Sequence, residues 1–182
     1  MANTKPNATQ VTYDGGTVQD VLDYAKAMAN YTALRAYTGR AKVVRITDSR
    51  FAGLFILDAV DTTTADNGGT VIVDGSGRLW KRQVQSVILA SWFNVVPESP
   101  DVSDALAAAL AYHRVAKLPL VIGDGWFQHS KPIVIRSGDV MYGQGEGRTL
   151  FQKSTNNTSG LLHLLVSIGR KLMPQDKGML LM

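Results

Sequence analysis

Cysteine is absent from this chain of 182 residues. That excludes a disulfide framework, thiolate catalysis and thiolate metal sites. Glutamate is nearly absent too: only Glu98 and Glu146 occur, far apart in sequence. No apolar run approaches the ~20 residues needed to span a bilayer, so no membrane insertion is expected. The opening Met1-Ala2-Asn3-Thr4-Lys5-Pro6-Asn7 is polar and lacks the apolar core of a secretory signal. Neither sign of charge forms a long block. The 19 basic and 15 acidic residues are spread along the chain and leave a net charge of +4. That argues against a dedicated nucleic-acid tail.

What is present is enough for a core. The 45% hydrophobic content is ordinary for a globular chain, and the length suits one or two small domains. The most informative stretch is DTTTADNGGTVIVDGSGRLWKR, Asp61 to Arg82. Thr70-Val71-Ile72-Val73 is a β-branched run, Asp74-Gly75-Ser76-Gly77 is a turn cluster, and Arg78-Leu79-Trp80-Lys81-Arg82 alternates apolar with basic residues. Asn67-Gly68-Gly69 is a second breaker in front. Together they predict two antiparallel strands.

Residues 1–16 read as a flexible arm. Thr17 then starts a helix, with Asp20 three residues on, and Val18, Val21, Ala25 and Met28 are spaced like a heptad seam. This is an amphipathic helix packed on its own domain or a neck helix in a symmetric trimer. From Thr32 to Arg82 the pattern changes to short strands between turn residues, a small antiparallel β-domain. Arg35, Arg40, Lys42, Arg45 and Arg50, with Tyr37 among them, form a local basic cluster. With no recognition helix or paired aromatic platform it reads as the solvated side of a strand, not a nucleic-acid face.

Val96-Pro97-Glu98-Ser99-Pro100 reads as a linker, and Asp101 caps the following helix with Asp104 behind it. Leu106, Leu110 and His113 mark one helical face, with His113 at its edge. Short strands at Leu118–Ile122, Ile133–Ile135, Val140–Tyr142 and Leu150–Gln152 then alternate with glycine turns. That is the pattern of a parallel β-helix at its start.

The run LRAYTGRAKVV…FAGLF…DTTTADNGGTVIVDGSGRLWKR, from Leu34 to Arg82, resembles the small N-terminal domain of many bacteriophage tailspikes and prophage tail proteins. The run from Trp92 to Phe151 is similar to the start of the pectate-lyase-like β-helix of the same proteins. It carries the Asp104–Ala116 helix, the strand at Leu118, a Gly125-Trp126-Phe127 turn and the glycines from Gly143 to Gly147. The expected fold is mainly β with two short helices: an N-terminal arm and neck helix (1–31), a small antiparallel β-domain (32–95), and a capping helix with the first rungs of a truncated right-handed parallel β-helix (96–160). Residues 161–182 are an atypical tail and a candidate for disorder, because GLLHLLVSIGRKLMPQDKGMLLM loses the turn spacing.

The resemblance implies a structural virion component: the anchoring and neck part of a homotrimeric tailspike, made in the bacterial host cytoplasm and carried on the phage tail. Its partners would be two further copies of itself and tail or baseplate proteins, with another tailspike or a host surface polysaccharide as further partners. Nucleic acid is not among them. Two alternatives are the N-terminal fragment of a capsule or lipopolysaccharide depolymerase, and an adaptor for a separate spike.

No catalytic, cofactor or metal residue is assigned. Glycoside hydrolysis wants two carboxylates about 5 to 9.5 Å apart. Asp101 and Asp104 are better explained by capping, Asp124 and Asp139 by turns, and the family's catalytic carboxylates usually lie on later rungs. Gly143, Gly145 and Gly147 lack dinucleotide-fingerprint spacing, and His113, His129 and His163 lack metal-ligand spacing. Ser130 and Ser137 lack a nucleophile-elbow context. Trp126 and Phe127 read as core or interface aromatics before they read as a sugar platform.

Overall fold

The first long departure from the expected layout falls at Ala25, inside the expected neck helix. In the computed structural model, which describes residues 24–153 in full and the backbones of strands Thr12–Tyr13 (β1), Gly16–Thr17 (β2) and Met179–Leu181, Ala25–Met28 is a strand (β3). The expected neck helix does not reach this far; its Val18 and Val21 lie outside the described residues. Two heptads make a weak helix by themselves, whereas β3 gains a parallel ladder with Val43–Ile46 (β4), from Ala25 opposite Val43 to Met28 opposite Ile46. The Asn30 side chain then accepts a hydrogen bond from the Ala33 amide (3.0 Å) and starts a short helix, Tyr31–Arg35 (α1). Within the stretch expected as an arm, β1 and β2 pair antiparallel, Tyr13 opposite Gly16.

The chain divides into two compact units. The first holds Met1–Asp66 and Val71–Gln83, and the second holds Asn67–Thr70 and Val84–Met182. The second unit therefore starts on the N-terminal side of the Val96–Pro100 segment.

The first unit is built on a five-stranded sheet. Its order is β3, β4, Gly53–Asp58 (β5), Leu79–Arg82 (β7), Val71–Val73 (β6). Every neighbouring pair except β3–β4 is antiparallel, so the expected antiparallel domain carries one parallel edge strand. Period-two alternation sends Val44, Ile46, Phe55, Ile72 and Trp80 inward, where Leu34 of α1 joins them; all six are fully buried.

In the second unit the parallel strands stack in register. Ile88–Leu89 (β8), Leu120–Val121 (β9) and Met141–Tyr142 (β12) form one sheet, with Ile88, Leu120 and Met141 aligned and buried. Gly125–His129 (β10) pairs parallel with Thr149–Lys153 (β13), which stacks Phe127 on Phe151 with ring centroids 5.3 Å apart. Gly125-Trp126-Phe127, expected as a turn, is thus a strand. Stacked identical inward positions on parallel strands are the rungs of a β-helix. Ser103–Ala116 (α2) lies between β8 and β9 in sequence and buries Leu106, Ala109 and Leu110 against this core. Ile133–Ile135 (β11) pairs with Met179–Leu181 (β14) antiparallel, unlike the rung ladders.

Candidate functional site

The Asp61–Arg82 stretch turns out to be an ordered series of side-chain-capped turns. Asp61 accepts hydrogen bonds from the Thr63 and Thr64 amides (3.0 and 3.1 Å) and from the Thr64 hydroxyl (2.5 Å). Lys81 donates to Asp61 at 2.6 Å and to Asp58 at 2.8 Å. The Lys81 bond, helped by the Asp61 and Val60 amides, lowers Asp58 to about 2. Asp66 holds Arg35 through both carboxylate oxygens (2.8 and 2.9 Å). Asn67 accepts from the Gly69 and Thr70 amides (3.1 and 2.9 Å). Asp74 closes the hairpin: its buried carboxylate accepts from the Ser76 and Arg78 amides, the Arg78 guanidinium and the Trp80 indole (2.9 Å). Burial opposes its ionisation, but the indole and guanidinium donors outweigh burial and hold its pKa below the usual carboxylate range. The positive φ that the turn needs falls at Gly77 (+76°).

Sequence reasoning missed Arg82. It shares the inward parity of Trp80 and is 5% exposed. Its guanidinium donates to the Tyr31 hydroxyl (2.6 Å), the Phe51 carbonyl (2.7 Å) and the Ala52 carbonyl (2.9 Å), and sits 4.7 Å from the Phe55 ring centroid. Gly53 makes room for it: a Cβ there would lie 2.0 Å from Arg82 Nη1. The period-two link to Trp80 was the available signal. Of the basic cluster, Arg35 and Arg50 are in ion pairs with Asp66 and Asp48, and the Tyr37 hydroxyl accepts the Ala41 amide. The cluster is thus spread over α1, β4 and the turn before β5, and not gathered on one strand face.

The described aspartates of the second unit are each held by a structural partner. Asp101 precedes the helix cap, which is Val102; its carboxylate accepts from the Ser103 amide (2.8 Å), the Ser103 hydroxyl (2.5 Å) and the Ser130 hydroxyl. It thus ties the start of α2 to the turn after β10, more than the cap expected of it. The Ser103 and Ser130 hydroxyls, in that order, hold its pKa well below the usual range. Asp104 does not cap but pairs with Lys131 (2.6 Å), and Asp124 pairs with Arg148 (2.6 Å). Asp139 accepts the Arg136 amide (2.8 Å) in its turn and both arms of Arg114 (2.9 and 2.6 Å).

The Asp101 tie makes a pH prediction. A depressed folded-state pKa contributes stability that is present above the unfolded value of roughly 3.9 and is lost as pH falls below it. Asp101→Asn should therefore flatten the acid limb of the second unit's melting curve while lowering its plateau at neutral pH. An unchanged acid limb in a circular-dichroism pH series would contradict this.

His113 is buried. Its Nδ1 lies 2.5 Å from the Leu118 carbonyl and its Nε2 accepts the Val140 amide (3.1 Å), which defines a neutral imidazole protonated at Nδ1. His129 Nδ1 faces the Lys131 carbonyl at 3.0 Å. The Gly143–Gly147 stretch is a turn: Thr149 Oγ1 accepts the Gln144 amide (2.9 Å) and donates to the Gly123 carbonyl (2.8 Å). Trp126 is exposed, whereas Phe127 is a core residue. Among the described residues no cluster of metal-ligating side chains occurs, and no helix is long and apolar enough to cross a membrane.

In sequence order, a β-sheet domain with side-chain-capped turns is followed by a helix and by parallel strands stacked as β-helix rungs. Residues 27–85 match the model of the family described as phage tail protein small four-stranded beta-sheet domain. The strands β4, β5, β6 and β7 lie wholly inside that match. Among solved structures, the chain is similar to the tailspike protein of Acinetobacter baumannii phage AM24, at 18% identity and TM-score 0.54 over 86% of this chain and 34% of that one. It is similar to full-length tailspike protein 2 from Escherichia coli O157:H7 bacteriophage CAB120, at 18% identity and TM-score 0.56 over 76% of this chain and 19% of that one. It is also similar to Pantoea stewartii WceF, a glycan biofilm modifying enzyme with a tailspike-like parallel β-helix, at 14% identity and TM-score 0.58 over 79% of this chain and 24% of that one. The chain spans between 19% and 34% of the length of these proteins. Over the matched residues the chain thus has the fold that these tailspike and tailspike-like structures share.

Proposed function

We propose that this chain is the anchoring and neck part of a homotrimeric tailspike, joining a receptor-binding or depolymerase body to the phage tail. The observation that carries this reading is the order of its parts: a phage tail β-domain followed at once by a helix-capped β-helix start. The N-terminal region would dock on tail or baseplate proteins, and the β-helix would face the host surface. Trimerisation gains support from the edges left by short strands, which closure in a ring would cover. Sedimentation velocity at micromolar concentration should give a trimer; a well-folded monomer would remove the homotrimer from the proposal.

For this chain itself the role is structural. Asp101, Asp104, Asp124 and Asp139 are all committed to hydroxyl, amide or basic partners. A second reading, that the chain acts on glycans, is favoured by the likeness to WceF. Incubation with purified capsule or lipopolysaccharide separates the two: release of reducing ends by this chain alone would establish the enzymatic reading.

A further inference from the structure

At the C-terminal end of α2, residues 117–119 and the turn from Arg136 to Asp139 line a half-open cavity of about 340 Å³. Its floor is chemically closed. His113 is saturated by the Leu118 carbonyl and the Val140 amide, and Asp139 is neutralised by Arg114. Arg114 also donates to the Val134 carbonyl at 2.8 Å, which fixes it in place. The walls are different. Lys117 and Arg136 both line the cavity and are exposed, and neither makes an ion pair with another described residue. Ser137 adds a hydroxyl, and Leu118, Pro119 and Val140 supply apolar surface.

We propose that this cavity is an anion-binding site, taking one carboxylate or phosphate group carried by a small polar ligand. The charge balance among the described residues supports it: Asp139 pairs with Arg114, and neither Lys117 nor Arg136 has a described counter-ion on the same concave surface. The helix dipole accounts for a cation at Lys117, because the carbonyl end of α2 attracts positive charge. It does not account for Arg136, which follows β11 and belongs to another segment. A planar guanidinium and an ammonium lining one cavity can hold an oxyanion by charge-assisted hydrogen bonds. The volume falls at the small end of ligand pockets, large enough for one monosaccharide-sized molecule. Because both cations are solvent-exposed, affinity should be modest, with a dissociation constant on the order of 1 mM, and should weaken with ionic strength.

The test is a ¹H–¹⁵N NMR titration of the full chain with inorganic phosphate, with D-glucuronate, and with glucose as the neutral control, at fixed ionic strength. Saturable shifts at the Lys117, Ser137 and Gly138 amides are expected with the two anions and not with glucose. The stronger of the two anions identifies the group, phosphate or carboxylate, that the site prefers. Lys117→Gln with Arg136→Gln should weaken binding by about tenfold or more, the loss expected from two charge-assisted contacts. Both side chains are exposed, so a thermal melt should show the double variant folded; if it melts early, Arg136→Gln alone, with its smaller loss, is the comparison. Non-saturating shifts, equal shifts with glucose, or an unchanged dissociation constant in the charge-removed variants would overturn the site.

Discussion

Trp80→Ala is expected to destabilise the first unit by about 3–5 kcal/mol, the range for deleting a fully buried aromatic. Trp80 has no exposed surface, packs edge-on to Tyr37 with ring centroids 6.1 Å apart, and donates its indole N–H to the buried Asp74 carboxylate. The variant therefore opens a cavity and strips a donor from a buried anion. Trp80→Phe keeps most of the volume and removes the donor. Its cost should be about 1.5–3 kcal/mol, the value of a hydrogen bond to a charged group. Native-state hydrogen exchange of the β5 and β7 amides, which reads the first unit separately, would measure both. If Trp80→Ala costs less than Trp80→Phe, the packing argument is wrong.

Arg82→Ala should be comparably damaging, at about 3–5 kcal/mol. Its loss leaves the Tyr31 hydroxyl and the Phe51 and Ala52 carbonyls without the guanidinium that serves them. Burial lowers the Arg82 pKa, so placing a cation here opposes folding; the Tyr31 contact works against that burial effect. Replacing a buried ion pair by a hydrophobic residue can be neutral because both partners disappear. Here two of the three acceptors are backbone carbonyls and the third is the Tyr31 hydroxyl, and all three remain, so Arg82→Met should still cost about 2–3 kcal/mol. Arg82→Lys should fall between, because one ammonium cannot span the three acceptors as a planar fork does. Gly53→Ala is a second route to the same defect, since its Cβ would lie 2.0 Å from Arg82 Nη1. In an Arg82→Met background the Gly53→Ala penalty should largely vanish, the non-additivity of residues that share one space. Additive costs in the same exchange experiment would show that Gly53 is not reserved for this guanidinium.

Local patterns were legible in the sequence where their cause is local. The hairpin of β6 and β7 follows from β-branched residues on either side of an Asp-Gly-Ser-Gly turn, and the chain folds it as read. The helix Ser103–Ala116 follows from apolar spacing and alanine content, and the rung strands from apolar runs cut by glycine turns. The resemblance carried by Leu34–Arg82 lies wholly within the matched residues 27–85. The role of His113 was nearly legible: its place at the edge of a helical face was visible, its bridge to Leu118 and Val140 was not.

What the sequence by itself determined is therefore the turns, the long helix, and the order of a tail β-domain before a β-helix start. The turns and the helix rest on residues close together in the chain, where backbone preference and side-chain caps decide the outcome, whereas the order of the two parts rested on a family resemblance. Only the tertiary structure decided that Ala25–Met28 is a strand, that Arg82 points inward, and that Asp101 binds Ser130. Those outcomes depend on partners distant in the chain: β4 for the strand, Tyr31 and Phe51 for the guanidinium, the turn after β10 for the carboxylate. A helical seam and a strand edge compete on nearly equal local terms, and an arginine reads as a surface residue until burial supplies its acceptors. The physical reason is the same in each case: the deciding hydrogen bonds exist only after the chain has folded back on itself.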